Sequence, residues 1–501
     1  MQRLTVSQSG LIQGLSSNAI QTAWQVGLQV ASIPVLYRLL GPESFAYISM
    51  FLAAQAVVAV LDLGFTTTVM REVSGGQGSS QKQLIGACKR IYSLTGTILV
   101  LGGLLAVLIY ALAPAPPLLV AACSLAYAGV RWPSLFWLGI LRGLEHHGTA
   151  SLLGSAVSTV RIVGAIVAAW LSRGEWSSVL LWNIVAAGLE TTGYSWAASR
   201  ASRRDGLCWP AYSAGAAFAT LRSNSRMPLQ LAGTSLAAAL LKNTDRLVLA
   251  PALLGLGQAG VYGALVGITA GLAQIASPVF TTLVPRLSRH FSAGDSVLIR
   301  RDLLATSQLC ALLLGFPFLA LTGCGQAIAT LWLGHAASDM ETFTLQLLML
   351  AAALNVVMQP LYALQIAAGK PDLMLQFNVI GCLWVIPLQL ALGNAFGPPG
   401  LAAGWLAFNV AYVFIQPMRM TSGLLKGHTG RWAASALAFP LLLGLPAAMT
   451  CRAATDGLDP VYALAFTGLG IFFSIIFLLA TGTGPVQELR AIIKDRRRKH
   501  D

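Results

Sequence analysis

Apolar runs long enough to cross a bilayer recur along the whole chain, with short turns between them. A membrane-crossing helix needs about 20 mostly apolar residues, and hydrocarbon offers no water to satisfy an open backbone. Fourteen such runs are legible. They are approximately 16–37, 45–67, 91–112, 118–141, 152–171 and 179–199, then 229–249, 261–283, 303–321, 343–368, 373–392 and 401–425, and finally 433–450 and 461–480. Gly41-Pro42, Ala115-Pro116-Pro117, Gly369-Lys370-Pro371 and Gly397-Pro398-Pro399-Gly400 mark turns between them. Only 10% of the 501 residues are charged, against about 25% in soluble domains. A soluble enzyme, a disordered chain and a secreted disulfide scaffold are excluded. The seven cysteines are odd in number and lack C-x-x-C spacing. Cys123, Cys310 and Cys382 sit in apolar runs and read as small buried hydrophobes. Neither a zinc site nor a disulfide framework is indicated. The first run has no A-x-A cleavage site and reads as a retained helix.

The positions of the charges orient the spans. With the N-terminus cytoplasmic, 25 of the 32 Lys/Arg fall inside, including Arg71, Arg200, Arg203, Arg204, Arg286, Arg289 and the tail 496–499. Four fall outside (Arg38, Arg173, Arg246, Arg452) and three within spans. Cytoplasmic loops carry the excess of basic residues in membrane proteins, so the net charge of +14 is a topology signal before it is a nucleic-acid signal. The fold expected is an all-α polytopic membrane protein with about 14 transmembrane helices and both termini cytoplasmic. Its organisation reads as an N-lobe at 1–199, a cytoplasmic linker at 200–228, a C-lobe at 229–425, two accessory spans at 433–480 and a basic cytoplasmic tail at 481–501.

The two lobes carry a repeat. Segment 65–71, FTTTVMR, matches 280–286, FTTLVPR, at five of seven positions. Tyr47 matches Tyr262 at the same offset, and Leu39-Leu40-Gly41 matches Leu253-Leu254-Gly255 one residue out of step. Six spans per half give both halves one orientation, as in transporters built from parallel repeats.

Polar residues form stripes inside the apolar runs. Asn18, Gln21, Gln25, Gln29 and Ser32 share a face of the first, at spacings of three and four. Others are Gln55, Asp62 and Thr66; Ser124, Tyr127, Arg131 and Ser134; Ser151, Ser155, Ser158 and Arg161; and Asn183, Glu190 and Tyr194. In the second lobe they are Asn355, Gln359 and Tyr362, and Trp405, Asn409, Tyr412 and Gln416. Such faces meet protein or water, never lipid. For one residue, interhelical hydrogen bonding suffices; the set together points to a water-filled cavity. A charge at mid-helix costs about 2.5–3.5 kcal/mol on insertion scales, so Arg131, Arg161, Lys242, Asp62, Glu190 and Asp245 are functional candidates. The alternative is ion pairing: Lys242 with Asp245, and Arg131 or Arg161 with Glu190. Arg38 and Arg246 lie near outer ends, and Arg38 leaves the stripe unless Pro34 kinks the helix. The cationic excess suits an anionic solute, because the guanidinium fork matches phosphate. The amides, hydroxyls and aromatics suit sugars. No catalytic constellation or phosphate-gripping Gly loop occurs, so the chain reads as a non-enzyme without cofactor.

Residues 18–74 contain YRLLGPESFAY (37–47), LDLGF (61–65) and MREVS (70–74). Farther on come NTDRLVL (243–249), GVY (260–262), LVPRLSRHFSAGD (283–295) and GPPGLAAGW (397–405). These stretches resemble the polysaccharide transporter family, the Wzx-type lipid-linked oligosaccharide flippases of the multidrug/oligosaccharidyl-lipid/polysaccharide exporter superfamily. Ala46 stands where the family usually has Gly. The resemblance implies a V-shaped pair of lobes around a cationic cavity in a bacterial inner membrane. It implies flipping of undecaprenyl-pyrophosphate-linked repeat units for O-antigen, capsule or exopolysaccharide. The pyrophosphate candidates are then Arg131, Arg161 and Lys242, with Arg38 and Arg246. The cavity lining is Asn18, Gln21, Gln25, Gln29, Gln55, Tyr127, Asn355, Gln359, Tyr362, Asn409 and Tyr412. Asp62, Glu190 and Asp245 serve ion coupling, by H⁺ or Na⁺, or ion pairs; Asp245 is the position that matches the Na⁺-site acid of related lipid II flippases. Implied partners are the lipid-linked substrate, anionic lipids, and the polymerase and chain-length proteins of polysaccharide assembly, with no nucleic acid. A drug/cation antiporter of the same superfamily and a membrane polymerase or glycosyltransferase are the rival readings.

Overall fold

The structure is a computed structural model and describes residues 8–59, 66, 69–70, 73, 79–204, 226–370, 372–420 and 429–481. Asp62, most of the 200–228 linker and the tail beyond 481 lie outside these residues, as does the side chain of Asn18. Every regular element among them is helical. In chain order these are α1 (Gln8–Val58), α2 (Ser79–Leu112), α3 (Pro116–Gly143), α4 (His147–Leu171), α5 (Trp176–Arg204), α6 (Arg226–Thr244), α7 (Ala250–Ala273), α8 (Ser277–Ser292), α9 (Ser296–Cys310), α10 (Phe316–Leu321), α11 (Gly325–Leu333), α12 (Asp339–Val357), α13 (Gln359–Ala367), α14 (Asp372–Phe396), α15 (Pro398–Met420), α16 (Thr429–Ala433), α17 (Phe439–Thr455) and α18 (Pro460–Thr481). Short π-helical turns join α6 to α7, α9 to α10 and α16 to α17.

Ten helices among the described residues are long and apolar enough to cross a membrane. Four of these, 233–271, 296–333, 339–367 and 436–455, run through more than one element. Helix α5 falls outside the ten. It carries Asn183, Glu190, Thr191, Thr192 and Tyr194 within a few turns, and that polar load lowers its hydropathy. Leu101, Leu104, Leu105 and Leu108 of α2 stand exposed, as do Phe466, Phe472, Phe473 and Phe477 of α18. In a bilayer such surfaces face lipid tails and need no further cover.

The chain forms two compact units, residues 1–247 and 248–501. Each contains the same backbone device. Helix α1 changes direction at Gly41, with φ 76° and ψ 166°. Helix α7 does so at Gly255, with φ 74° and ψ 165°. That region of backbone space is essentially reserved for glycine. A Cβ at either position would meet nothing within 4 Å, so conformation, not space, demands the glycine. Pro34 leaves α1 helical, since Gly41 is its one non-helical residue; the bend falls three residues beyond Arg38. In both units a turn backs onto this bend. The α4–α5 turn brings Gly174 so close to Leu39 that a Cβ would lie 2.8 Å from its carbonyl oxygen, and the α14–α15 turn sets Gly397 against Leu254. The matched words around Gly41 and Gly255 therefore mark the same corner built twice.

The last two spans stand outside this repeat, yet α17 is packed into the second unit. A Cβ on Gly323 would lie 2.1 Å from the Ala448 carbonyl oxygen, and one on Gly444 would lie 2.6 Å from Leu319 Cβ. Trp432, fully buried, donates from Nε1 to Ser307 Oγ at 3.1 Å.

Candidate functional site

In the first unit the stripes of four helices converge. The i, i+4 spacing of Gln21, Gln25 and Gln29 aims one face of α1 at α4. Gly154 on α4 leaves a recess filled by the Gln21 amide, where a Cβ would lie 2.0 Å from its nitrogen. Gln25 Nε2 donates to Ser158 Oγ at 2.9 Å and to the Gly154 carbonyl at 3.3 Å. Trp24 Nε1 donates to Thr159 Oγ1 at 2.9 Å. Gln29 is half-buried on the same face. Gln55, farther along α1, keeps a buried amide nitrogen without a partner among the described residues.

The charged part of the site lies between α3, α4 and α5. Arg131 Nε donates to both carboxylate oxygens of Glu190, each at 3.0 Å. Ser134 Oγ donates to the Arg131 carbonyl at 2.7 Å and reaches Glu190 Oε1 at 3.5 Å. Thr191 Oγ1 closes the α3–α5 seam on the Val130 carbonyl at 2.7 Å. The Glu190 side chain is 9% exposed and that of Arg131 is 33% exposed. The carboxylate is thus the buried member, and the guanidinium opens outward. Its two terminal amino groups have no partner among the described residues. Arg161 leaves Glu190 alone and donates from Nη1 to Tyr127 Oη at 2.9 Å. Tyr127 is one helical turn before Arg131 on α3, so Arg131 and Arg161 approach the same phenol. One carboxylate, paired with Arg131, stands against two guanidinium groups, and a net positive charge remains.

The other charged candidates are arranged differently. Lys242 is exposed on α6 and has no partner among the described residues. The pairing with Asp245 that the sequence allows is not made. Asp245, 4% exposed, starts a π-helical turn and accepts from the Arg246 backbone N–H at 2.7 Å. Arg246 donates to Asn243 Oδ1 and keeps Nε buried without a partner among the described residues. Arg38 is exposed near the Gly41 bend.

In the second unit the stripes close on one another. Asn355 Nδ2 on α12 donates to Asn409 Oδ1 on α15 at 2.9 Å, while Asn409 Nδ2 donates to the Trp405 carbonyl at 2.9 Å. Asn409 is fully buried and Tyr412 is 4% exposed. Tyr412 packs in a ring ladder with Phe377 and Phe408, at centroid distances of 5.3 and 6.3 Å. Tyr127 in the first unit is 2% exposed. These three polar side chains lie between helices instead of on an open wall. Tyr362 stacks on Phe280 at 5.1 Å and is half-buried, as are Gln359 and Asn355. Sequence reasoning missed a second amide pair: Gln365 Nε2 donates to Gln416 Oε1 at 3.1 Å, both fully buried. It also missed Gln389, whose amide donates to the Leu401 carbonyl at 3.2 Å. Gln365 and Gln389 are single polar letters inside apolar runs, so period alone gives no stripe to find. At the edge of the unit, Arg286 of the repeated FTTLVPR word pairs with Asp302 on α9, which also contacts His290 Nε2 at 3.0 Å.

These features match known proteins. Among solved structures, the chain resembles the lipid II flippase MurJ in an inward closed conformation, with a TM-score of 0.60, 13% identity and coverage of 92% of this chain and 98% of that one. It resembles an inward-facing multidrug resistance MATE family transporter of the MOP superfamily, with a TM-score of 0.59, 15% identity and coverage of 80% and 96%. A MOP superfamily transporter from Pyrococcus furiosus, described as having a binding pocket of reverse polarity, aligns at a TM-score of 0.51 and 13% identity over 82% and 96%. At these identities the likeness establishes the fold, which is that of the MOP-superfamily transporters. No curated protein matches. A family model for polysaccharide biosynthesis proteins matches residues 11–291, spanning the striped helices of the first unit, the two glycine bends and the Arg131–Glu190 pair, and the chain belongs to that family.

Proposed function

We propose that this protein is a flippase for lipid-linked oligosaccharide repeat units, moving an undecaprenyl-pyrophosphate-linked glycan across a bacterial inner membrane for O-antigen, capsule or exopolysaccharide assembly. The observation that carries the reading is the charge surplus on α3 and α4. Among the described residues, Arg131 is held by its Nε while its terminal amino groups stay open, and the Arg161 side chain has a phenol as its one partner. A partly desolvated guanidinium pair held within a polar face attracts a phosphate-type anion. Gln21, Gln25, Gln29 and Gln55 supply donors and acceptors for sugar hydroxyls. The polyprenyl tail stays in lipid, so neither charge nor hydroxyls enter hydrocarbon unpaired. Lys242, exposed and unpaired among the described residues, adds a third cation, and Arg38 and Arg246 are lesser candidates. Asp245 is the carboxylate assigned to coupling, by H⁺ or Na⁺. Anionic lipids and the polymerase and chain-length proteins of the same assembly are the partners this role implies.

A drug/cation antiporter would hold a cationic solute with a free carboxylate. Glu190 is already taken by Arg131, which argues against that role. The test is polymer export in cells at matched protein level. Arg131→Ala and Arg161→Ala should each abolish surface polymer, and Arg161→Lys should keep part of it, because a point charge still attracts phosphate but loses the fork. Normal export in both alanine variants would overturn the reading.

A further inference from the structure

Two thiols of the second unit meet at one hydroxyl. Cys324, in the turn before α11, is 2% exposed. Its Sγ lies 2.8 Å from Thr467 Oγ1 on α18, 3.8 Å from Thr455 Oγ1 at the end of α17 and 4.0 Å from the Ala463 carbonyl oxygen. Cys451, half-buried on α17, lies close to the same Thr467 and to the Cys324 thiol. The two backbones cross in contact here. A Cβ on Gly323 would lie 3.0 Å from Ala448 Cα, one residue before Cys324 and about one helical turn before Cys451. A disulfide needs Cα atoms about 4.4–6.8 Å apart with converging Cβ vectors; here the two chains touch at the residue before Cys324 and about one helical turn from Cys451.

The end of the helices at which the thiols sit is acidic. Asp339 and Glu341 begin α12, Asp456 and Asp459 lie in the turn between α17 and α18, and Arg452 directly follows Cys451. Arg286, Arg289, Arg300 and Arg301 lie at the termini of α8 and α9, one span earlier. The excess of basic residues marks the cytoplasmic side, so the thiols lie at the outer face, where disulfides persist.

We propose that Cys324 and Cys451 are a disulfide-forming pair that staples α17 to the α10–α11 junction. The bond is made by thiol–disulfide exchange with an external disulfide. The Cys451 thiolate, the more accessible of the two, attacks a sulfur of that disulfide and releases one thiolate. Cys324 then attacks the Cys451 sulfur of the mixed disulfide and releases the second thiolate. The two protein thiols lose two electrons, the external disulfide gains them, and the two protons pass to its released sulfurs.

The test uses the full chain in membranes, treated with oxidised glutathione or left reduced, then denatured in SDS and tagged with a maleimide polymer. The reduced chain should carry seven tags, one per cysteine. The oxidised chain should carry two fewer, and reductant should restore both. Peptide mapping should recover the fragments containing 324 and 451 joined to each other. Cys451→Ser should lose no tag to oxidation, whereas Cys382→Ser should still lose two. Undiminished tagging of the oxidised chain would overturn the proposal, as would glutathione found on Cys451 with Cys324 still free.

Discussion

The two units treat the same kind of sequence pattern in opposite ways. In the first, Gln25 closes on Ser158 but the charged stripe residues stay partly open: Glu190 is buried under Arg131, the guanidinium faces outward, and the Arg161 side chain meets Tyr127 alone among the described residues. In the second, neutral amides pair across helices: the stripe residue Asn355 with Asn409, and the stripe residue Gln416 with the isolated Gln365. A neutral amide needs no counter-charge, so one or two bonds to a facing helix let it be buried. A guanidinium has five donors in a fixed fork, and one carboxylate held through Nε leaves most of them open. Stripes of equal period therefore build an open cationic wall in one unit and a closed seam in the other. The residue type, not the spacing, decides which.

The largest effect should come from breaking the Arg131–Glu190 pair, and the partner left behind should set its size. Arg131→Ala strands a carboxylate that is 9% exposed. Removing one member of a buried pair typically costs about 3–5 kcal/mol, so thermal unfolding in detergent should shift down by several degrees. Glu190→Gln strands only the more exposed guanidinium and should cost clearly less. Arg131→Met with Glu190→Gln should recover most of the stability. If the double variant also restored export, Arg131 would be a structural charge and the anion role would pass to Arg161 and Lys242. Equal losses from the two single changes would break the buried-acid account.

The glycine bends come next, and they test the duplication directly. Gly41→Ala and Gly255→Ala each force a side chain into backbone space that costs about 1–3 kcal/mol, with no clash to add because nothing lies within 4 Å of either Cβ position. The two losses should agree within the error of the melting curves. A harmless Gly255→Ala beside a damaging Gly41→Ala would show that the second corner has lost the strain the first retains.

Much of the fold was legible because hydrocarbon allows so few solutions. Apolar length, Gly/Pro turns and the placement of Lys/Arg gave a helical membrane protein, and the resemblance of residues 18–74 gave its family. The corner at Gly41 was visible only as a three-letter match to residues 253–255; its backbone conformation needed coordinates. The site was less legible. The sequence offered Glu190 to either Arg131 or Arg161, and offered Asp245 to Lys242, because spacing along a chain says nothing about which neighbouring helix a side chain faces. Asn409 and Tyr412 read as a cavity wall from their period, yet they lie in a helix contact, since a satisfied amide and a solvated one leave the same stripe. The tight seat of α17 also escaped notice. Gly323 and Gly444 are isolated glycines in apolar surroundings, and close approach is a property of the facing helix as much as of the glycine.

Smaller is the cost of opening the neutral seam. Asn355→Leu leaves Asn409 Oδ1 orphaned in a fully buried position. Interhelical hydrogen bonds in membranes average about 0.6 kcal/mol and reach ~1.7, so about 1 kcal/mol of destabilisation is the expected scale, below that of the ion pair. Asn409→Leu should cost less, because the stranded Asn355 amide is half-buried and can reach water. The double leucine variant should be near neutral, and export should persist in all three. Loss of export in a stable Asn355→Leu protein would place this amide at the transport path and erase the contrast between the units.

The least perturbing comparison changes no stability and reads the contrast by accessibility alone. Gln29 and Gln365 are both amides in apolar helices, one half-buried on the α1 stripe and one fully buried against Gln416. Each is replaced by Cys in a chain whose native cysteines are changed to Ser or Ala, and membranes are treated with a charged, water-soluble thiol reagent. An open wall admits the reagent, because it is hydrated; a closed seam does not, because the helix facing it occupies the space. Gln29→Cys should therefore label at least tenfold faster than Gln365→Cys, an order-of-magnitude gap equivalent to about 1.4 kcal/mol in access free energy. A lipid-linked pyrophosphate glycan, or inorganic pyrophosphate at high concentration as its simplest probe, should slow the first rate and leave the second unchanged. Equal, slow labelling at both positions would mean that the α1 face is sealed against α4 as tightly as α12 is against α15. The polar stripe would then be a packing device in both units, and the open guanidinium groups of Arg131 and Arg161 would have to meet their anion from another side.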